Sequence, residues 1–162
     1  MEKKSILIVG AGGFIGGFIA SEALRRGFAT WAGVRSSTSR RYLSDPAIHI
    51  VDFDYDDTEA LERQLREAAP DGRAWDYIIY NLGATKCANF ADFNRINYQY
   101  LRNFTTALMS AGLLPSRFLY MSSLSALGPG DEKNYTPMDS TIIPAPNTRY
   151  GLSKIKAETY LE

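Results

Sequence analysis

Ser5-Ile6-Leu7-Ile8-Val9-Gly10-Ala11-Gly12-Gly13-Phe14-Ile15-Gly16 is the stretch whose reading decides the fold. Its first five residues form a short run, apolar behind Ser5 and rich in β-branched side chains, the pattern of a strand buried on both faces. Glycines then interrupt the run. Beyond them Ile15, Ile19 and Ala23 recur at helical spacing, which predicts a helix over 14–26 with Gly27 as its stop.

The same alternation continues outward. Residues 28–34 read as a second strand, 36–41 as a polar, basic loop and 47–53 as a third strand. Asp57 or Thr58 is placed to cap a helix in which Leu61, Leu65 and Ala68 share a face, with Glu59–Arg63 and Glu62–Arg66 as pairs four apart. Pro70-Asp71-Gly72 breaks the chain, and 77–80 is a fourth strand. A long helix follows, with Phe90, Phe93, Asn97, Tyr100, Phe104 and Leu108 three or four apart. Residues 117–121 make a fifth strand and 129–146 a proline-punctuated loop. A last helix begins after Pro146, since proline disrupts a helix interior. Strands alternating with helices predict an α/β, doubly wound parallel sheet of the Rossmann type. The whole chain, 1–162, is expected to be one dinucleotide-binding domain.

Composition narrows the function classes. Eighteen basic and eighteen acidic side chains cancel, so no global field favours nucleic acid or an anionic membrane. Cys87 is the single cysteine and His49 the single histidine, which leaves no internal disulfide and no zinc site of the Cys/His kind. The apolar run behind the charged N-terminus is too short for a signal-peptide core, and no later run would span a bilayer. A cytoplasmic location is expected.

The glycine turn carries the first chemistry. A G-x-G-x-x-G pattern fails, because Ile15 stands where its third glycine belongs; Gly10-x-x-Gly13-x-x-Gly16 is the spacing that works. The first glycine permits a tight turn, the second lets the backbone approach a pyrophosphate, and the third lets helix and strand pack closely. A glycine-rich turn without a ligand has the same spacing. No acidic residue lies between Glu22 and Asp45 to accept from a ribose hydroxyl, whereas Arg35 and Ser36 follow the second strand, with Arg40 and Arg41 nearby. A guanidinium there pairs with a 2′-phosphate, which selects NADP, with NAD as the alternative; a solvated basic loop is the plainer reading. Asp52 is a candidate for the adenine amino group or a surface carboxylate at a strand end.

The second chemistry lies near the C-terminus. Tyr150 and Lys154 are four apart, so a helix puts both on one face. A neighbouring ammonium favours the phenolate of a tyrosine, which then exchanges a proton with an alcohol or carbonyl while hydride moves to or from a nicotinamide. Ser123 follows the fifth strand, at the carboxyl edge of the sheet where such folds bind ligands, and its hydroxyl is suited to orient a substrate oxygen.

Four stretches in this order resemble the extended short-chain dehydrogenases/reductases, the NAD(P)-dependent epimerase/dehydratase family: residues 9–16, 51–54, 118–123, and Tyr150-Gly151-Leu152-Ser153-Lys154 with Ala157-Glu158 behind it. The resemblance implies catalytic positions at Ser123, Tyr150 and Lys154. It implies that Phe14 and Ile15 lie beside the phosphates, that Asp52 and Phe53 lie by the adenine, and that Leu82, Gly83 and Ala84 line the cofactor cleft. Lys86 matches a position that touches the pyrophosphate in some relatives, Asn97 a family asparagine of structural role, and Ser125 a second substrate-facing hydroxyl. The substrate it implies is a small molecule such as a nucleotide sugar. Two features depart from the family pattern: Val9 replaces a threonine before the glycines, and Leu127 stands where a tyrosine often precedes glycine. The family also continues into a C-terminal substrate region that this chain lacks. Two readings follow, an oxidoreductase or epimerase domain and a nucleotide-binding module without turnover. A homodimer is expected, through the edge of the fifth strand or the aromatic face of the 90–108 helix.

Overall fold

The computed structural model describes residues 3–131 and 133–162. Five parallel strands, β1 (Ser5–Val9), β2 (Ala29–Val34), β3 (Ile48–Asp52), β4 (Tyr77–Tyr80) and β5 (Arg117–Tyr120), pair in the order β3-β2-β1-β4-β5. β1 is central and every one of its residues is buried, which is why it contains no charged side chain. The order reverses direction between β1 and β4, so the β1 turn opens at a switch point of the sheet.

Strand register sorts the side chains. Ile6 and Ile8 share a face with Ala32, Val34, Tyr77 and Ile79, and α1 (Phe14–Arg25) packs there through Ala20 and Ala23. Leu7 and Val9 share the other face with Ile78 and Tyr80. On that second face the ring of Phe104, from α4 (Tyr100–Ser110), meets Tyr80 at 5.5 Å and Phe53 at 6.1 Å. α2 (Thr58–Ala68) begins at Asp57, whose carboxylate accepts from the Glu59 and Ala60 amides, and it buries Leu61 and Leu65. Glu62 pairs with Arg66 as expected; Glu59–Arg63 is not among the ion pairs of the described residues. β2 runs into β3 through a loop with no helix between them.

The chain forms two compact units. One contains the residues up to Leu82 with Asn103–Met121, and so the whole sheet; the other contains Gly83–Arg102 and Ser122–Glu162. The second unit holds α3 (Phe90–Asn94), a π-helical turn (Arg95–Gln99), a 3₁₀ turn (Leu124–Ala126) and α5 (Arg149–Leu161). The expected long helix is therefore interrupted by a wider turn at Asn97. Among the described residues no helix is long and apolar enough to cross a membrane.

Candidate functional site

The β1–α1 turn of the first unit separates its three glycines by what each must do. Gly10 has φ +82°, and a Cβ there would lie 2.7 Å from the Leu82 backbone. At Gly16 a Cβ would lie 2.3 Å from the Gly10 carbonyl oxygen. Both positions are fixed by the protein's own packing. At Gly13 the nearest atom to a Cβ would be 3.7 Å away, so internal packing does not require glycine there. Gly13 is also the N-cap of α1; it provides no capping side chain, and the first turn has no acidic residue. The first amides of the helix are thus left to an external acceptor, beside the open space at Gly13. Phe14 and Ile15 are exposed at this end.

Residues after β2 fold back on that turn. The Thr38 amide donates to the Arg35 carbonyl at 2.8 Å, Thr38 packs on Gly12, and Tyr42 packs on Gly17 and meets the Phe14 ring edge-on at 6.1 Å. The three arginines are differently engaged. Arg40 Nη2 donates to both Asp52 carboxylate oxygens, at 2.9 and 2.7 Å, and Arg41 stacks on Tyr42 and bonds its hydroxyl. Arg35 is exposed and makes no ion pair among the described residues. Asp52 is therefore held by Arg40. The Phe53 ring is 3% exposed, under Gly33 and against Phe104, so its side chain is core.

In the second unit, α5 starts at Thr148, whose hydroxyl accepts from the Gly151 amide at 2.9 Å. Gly151 lets α5 press on the 3₁₀ turn, since a Cβ there would lie 2.1 Å from the Ser125 carbonyl oxygen. Ser123 caps that turn: its Oγ accepts from the Ser125 amide at 3.2 Å, which leaves its own proton to donate. Tyr150 is half-buried with its ring 6.1 Å from Phe93. Lys154 is 3% exposed. Burial lowers its pKa to about 8, and the Glu158 carboxylate opposes that fall. Its Nζ lies near Gly83, 3.8 Å from where a Cβ would stand.

Asn97 locks this arrangement. Its Oδ1 accepts from the Ala84 amide at 2.7 Å, and its Nδ2 donates to the Ala84 carbonyl at 3.0 Å and to Ser153 Oγ at 2.9 Å. Ser153 in turn donates to the Tyr150 carbonyl at 2.7 Å. The π-helical turn carries Asn97, which is fully buried, at the point where these bonds converge. Lys86 is an exposed loop residue with no ion pair among those described. Ser122 and Glu158 lie in the stretches that carry the family resemblance but were given no role there; their side chains hydrogen-bond to each other. The signal available was the spacing Tyr150, Lys154, Glu158, four apart on one helix.

The profile of the NAD dependent epimerase/dehydratase family matches residues 6–162. Among solved structures, a proposed epimerase of Burkholderia cenocepacia is similar at 25% identity and TM-score 0.78, over 99% of this chain and 49% of that one. Bordetella bronchiseptica WbmG, solved with NAD and UDP, is similar at 23% and 0.79, over 99% and 49%. The UDP-glucose 4-epimerase of Thermus thermophilus, solved with NAD, is similar at 22% and 0.81, over 97% and 49%. No curated protein matches the chain in sequence. This chain spans about half the length of the solved structures it matches. With its parallel sheet, its glycine turn and a family profile that spans almost all of its length, the chain belongs to the NAD dependent epimerase/dehydratase family.

Proposed function

We propose that the first unit binds a nicotinamide dinucleotide, NADP in preference to NAD, and that Ser123, Tyr150 and Lys154 of the second unit move a proton at a sugar carbon or carbonyl of the substrate. The observation that carries the proton-transfer reading is the buried Lys154 ammonium, one helical turn beyond Tyr150 on α5. When bound, the dinucleotide would supply or accept the hydride. Tyr150 takes or gives the proton of the substrate hydroxyl or carbonyl, and Lys154 supplies positive charge that stabilises the tyrosine oxygen as it becomes negative. With a pKa of about 8, Lys154 is mostly charged at neutral pH, so this assistance is present there. Ser123 donates its free proton to the substrate oxygen and fixes its direction. Similar proteins solved with NAD, with UDP, or named as UDP-glucose epimerases support a nucleotide sugar as the substrate class.

The residues present fit the dinucleotide. The turn is open at Gly13, the helix start has no capping side chain, and no carboxylate stands between Glu22 and Asp45. Arg40 is held by Asp52 and Arg41 by Tyr42, so Arg35 is the guanidinium left for a 2′-phosphate. Calorimetric titration of NADPH and NADH, beside Arg35→Ala, tests this. NADPH is expected to bind at least about tenfold more tightly than NADH, with the preference lost in the variant. Equal binding that ignores Arg35 overturns the NADP assignment, and binding of neither overturns the assignment of the turn to a dinucleotide in this chain.

A further inference from the structure

Glu158 has no part in the roles above, yet it touches both stretches that carry them. It is half-buried on α5, four residues beyond Lys154 and eight beyond Tyr150. Its Oε1 accepts a hydrogen bond from the Ser122 hydroxyl, and Ser122 immediately precedes Ser123. A single carboxylate thus ties the segment that presents Ser123 to the helix that presents Tyr150 and Lys154. Residues four apart on a helix are neighbours, about 5–6 Å between Cβ atoms, and the Glu158 carboxylate is near enough to favour the charged form of the buried Lys154 side chain.

The other charged groups around Lys154 do not duplicate this. The elements packed on α5 are α3, the π-helical turn and the 3₁₀ turn, which contribute Asp92, Arg95 and no charged residue, respectively. α5 itself adds Arg149 and Lys156, and Glu162 follows it; Lys156 donates to Asn94 at 2.7 Å and lies 4.2 Å from the centre of the Tyr98 ring. The Glu158 carboxylate acts on Lys154 in the sense opposite to burial, favouring its charged form.

We propose that Glu158 is a positioning residue of the Ser-Tyr-Lys apparatus: gripped by the Ser122 hydroxyl, its carboxylate holds the Ser123 segment to α5 and keeps buried Lys154 in its ammonium form. This deepens the reading of the preceding subsection and rests on it for the roles of Ser123, Tyr150 and Lys154. The two roles of the carboxylate separate by substitution. Glu158→Gln keeps an acceptor for Ser122 and removes the charge. Ser122→Ala keeps the charge and removes the grip.

The test is an NMR titration of the Lys154 side chain in the full chain, its signal assigned with Lys154→Arg. It needs neither cofactor nor turnover, so it stands or falls apart from the functional reading. Glu158→Gln is expected to lower the Lys154 midpoint by about one pH unit, a tenfold change in its acidity. Ser122→Ala is expected to speed amide exchange at Ser125 and Ala126, whose N–H groups are held within the 3₁₀ turn, by about fivefold or more. A Lys154 midpoint unmoved in folded Glu158→Gln overturns the proposal, as does unchanged exchange in Ser122→Ala. If Glu158→Gln does not fold, Glu158→Asp carries the test: shortening withdraws the carboxylate from Ser122, and a midpoint and exchange rates both equal to wild type overturn the proposal.

Discussion

Gly13 and Gly16 belong to one turn, but their surroundings make opposite demands. A Cβ at Gly16 meets the backbone of Gly10 and Ala11, at 2.3 and 2.7 Å, and neither can swing aside as a side chain would. Gly16→Ala should therefore destabilise the protein by on the order of 3 kcal/mol, read as a lower urea midpoint. Gly13→Ala meets nothing closer than 3.7 Å, at an extended N-cap conformation that alanine also adopts. Its stability cost should be about 1 kcal/mol or less, while dinucleotide affinity falls tenfold or more because the new methyl occupies the space the pyrophosphate needs. Equal stability losses in the two variants would show that the turn does not divide its glycines in this way. Lys154 supplies a second test at this scale. Its folded pKa, about 8, lies below the ordinary 10.5, so between those values the unfolded chain binds more protons than the folded one and stability rises with pH. Below pH 8 both states are protonated and the burial cost is felt in full, up to roughly 3 kcal/mol. Lys154→Met should thus be more stable than wild type at pH 7, with the gap narrowing towards pH 10. Denaturation curves across that range check the sign; a gap that widens with pH contradicts it.

At the scale of elements, the long helix marks the limit of what the sequence makes legible. The period of Phe90, Phe93, Asn97, Tyr100, Phe104 and Leu108 correctly announces a helical segment with a buried face. It is silent on the π-helical turn at Arg95–Gln99, because one extra residue per turn changes the period less than the natural scatter of apolar positions. The reason for the wider turn is tertiary: it delivers Asn97 to Ala84 and Ser153, contacts 13 and 56 residues away in sequence. Local signals fared better where the physics is local. Asp57 caps its helix through its own side chain, the last helix begins after Pro146, and the five strands fall within a residue or two of the expected ranges. Of the candidate site, Gly10 and Gly16 stand where a Cβ would meet backbone, and Lys154 is buried. The Arg40–Asp52 pair, the burial of the Phe53 ring and the Ser122–Glu158 bond depend on long-range packing that residue spacing does not encode. Asn97→Leu, close in volume but without the amide, should strand both polar groups of Ala84 and cost on the order of 3 kcal/mol. Asn94→Ala, which removes only an exposed bond to Lys156, should cost well under about 1 kcal/mol. Paired urea titrations decide this, and equal losses would mean that the turn owes its stability to something other than the Asn97 network.

At the scale of the molecule, the two edges and two faces of the sheet are unequally protected. On the face that carries Leu7 and Val9, the Phe118 and Tyr120 rings of β5 both meet the Tyr80 ring of β4, and Phe104 covers Tyr80. On the opposite face register places Leu119 beside Ile79, and Leu119 is half exposed. Next to them an apolar groove of about 500 Å³ runs along α1, lined by Ile15, Phe18, Ile19 and Ile79 among others. β5 pairs with β4 alone within the sheet, so its outer N–H and C=O groups form no further ladder. The other surface expected to mediate self-association, the aromatic face of the 90–108 segment, is mostly taken up internally: Phe93, Tyr100 and Phe104 are buried, and Phe90 is exposed. The homodimer expectation thus contracts to the β5 edge. If two copies join β5 edges antiparallel about a two-fold axis, residues directly opposite must share a face. That condition puts the axis through a residue rather than between two; centred on half-exposed Leu119, it sets Phe118 against Tyr120 of the second copy. Sedimentation velocity should then show association that grows with concentration, and Leu119→Lys should abolish it by setting like charges directly against each other on the axis. A single monomeric species at high concentration in the wild type, or association indifferent to Leu119→Lys, would assign that face and edge to something other than a second copy of this chain.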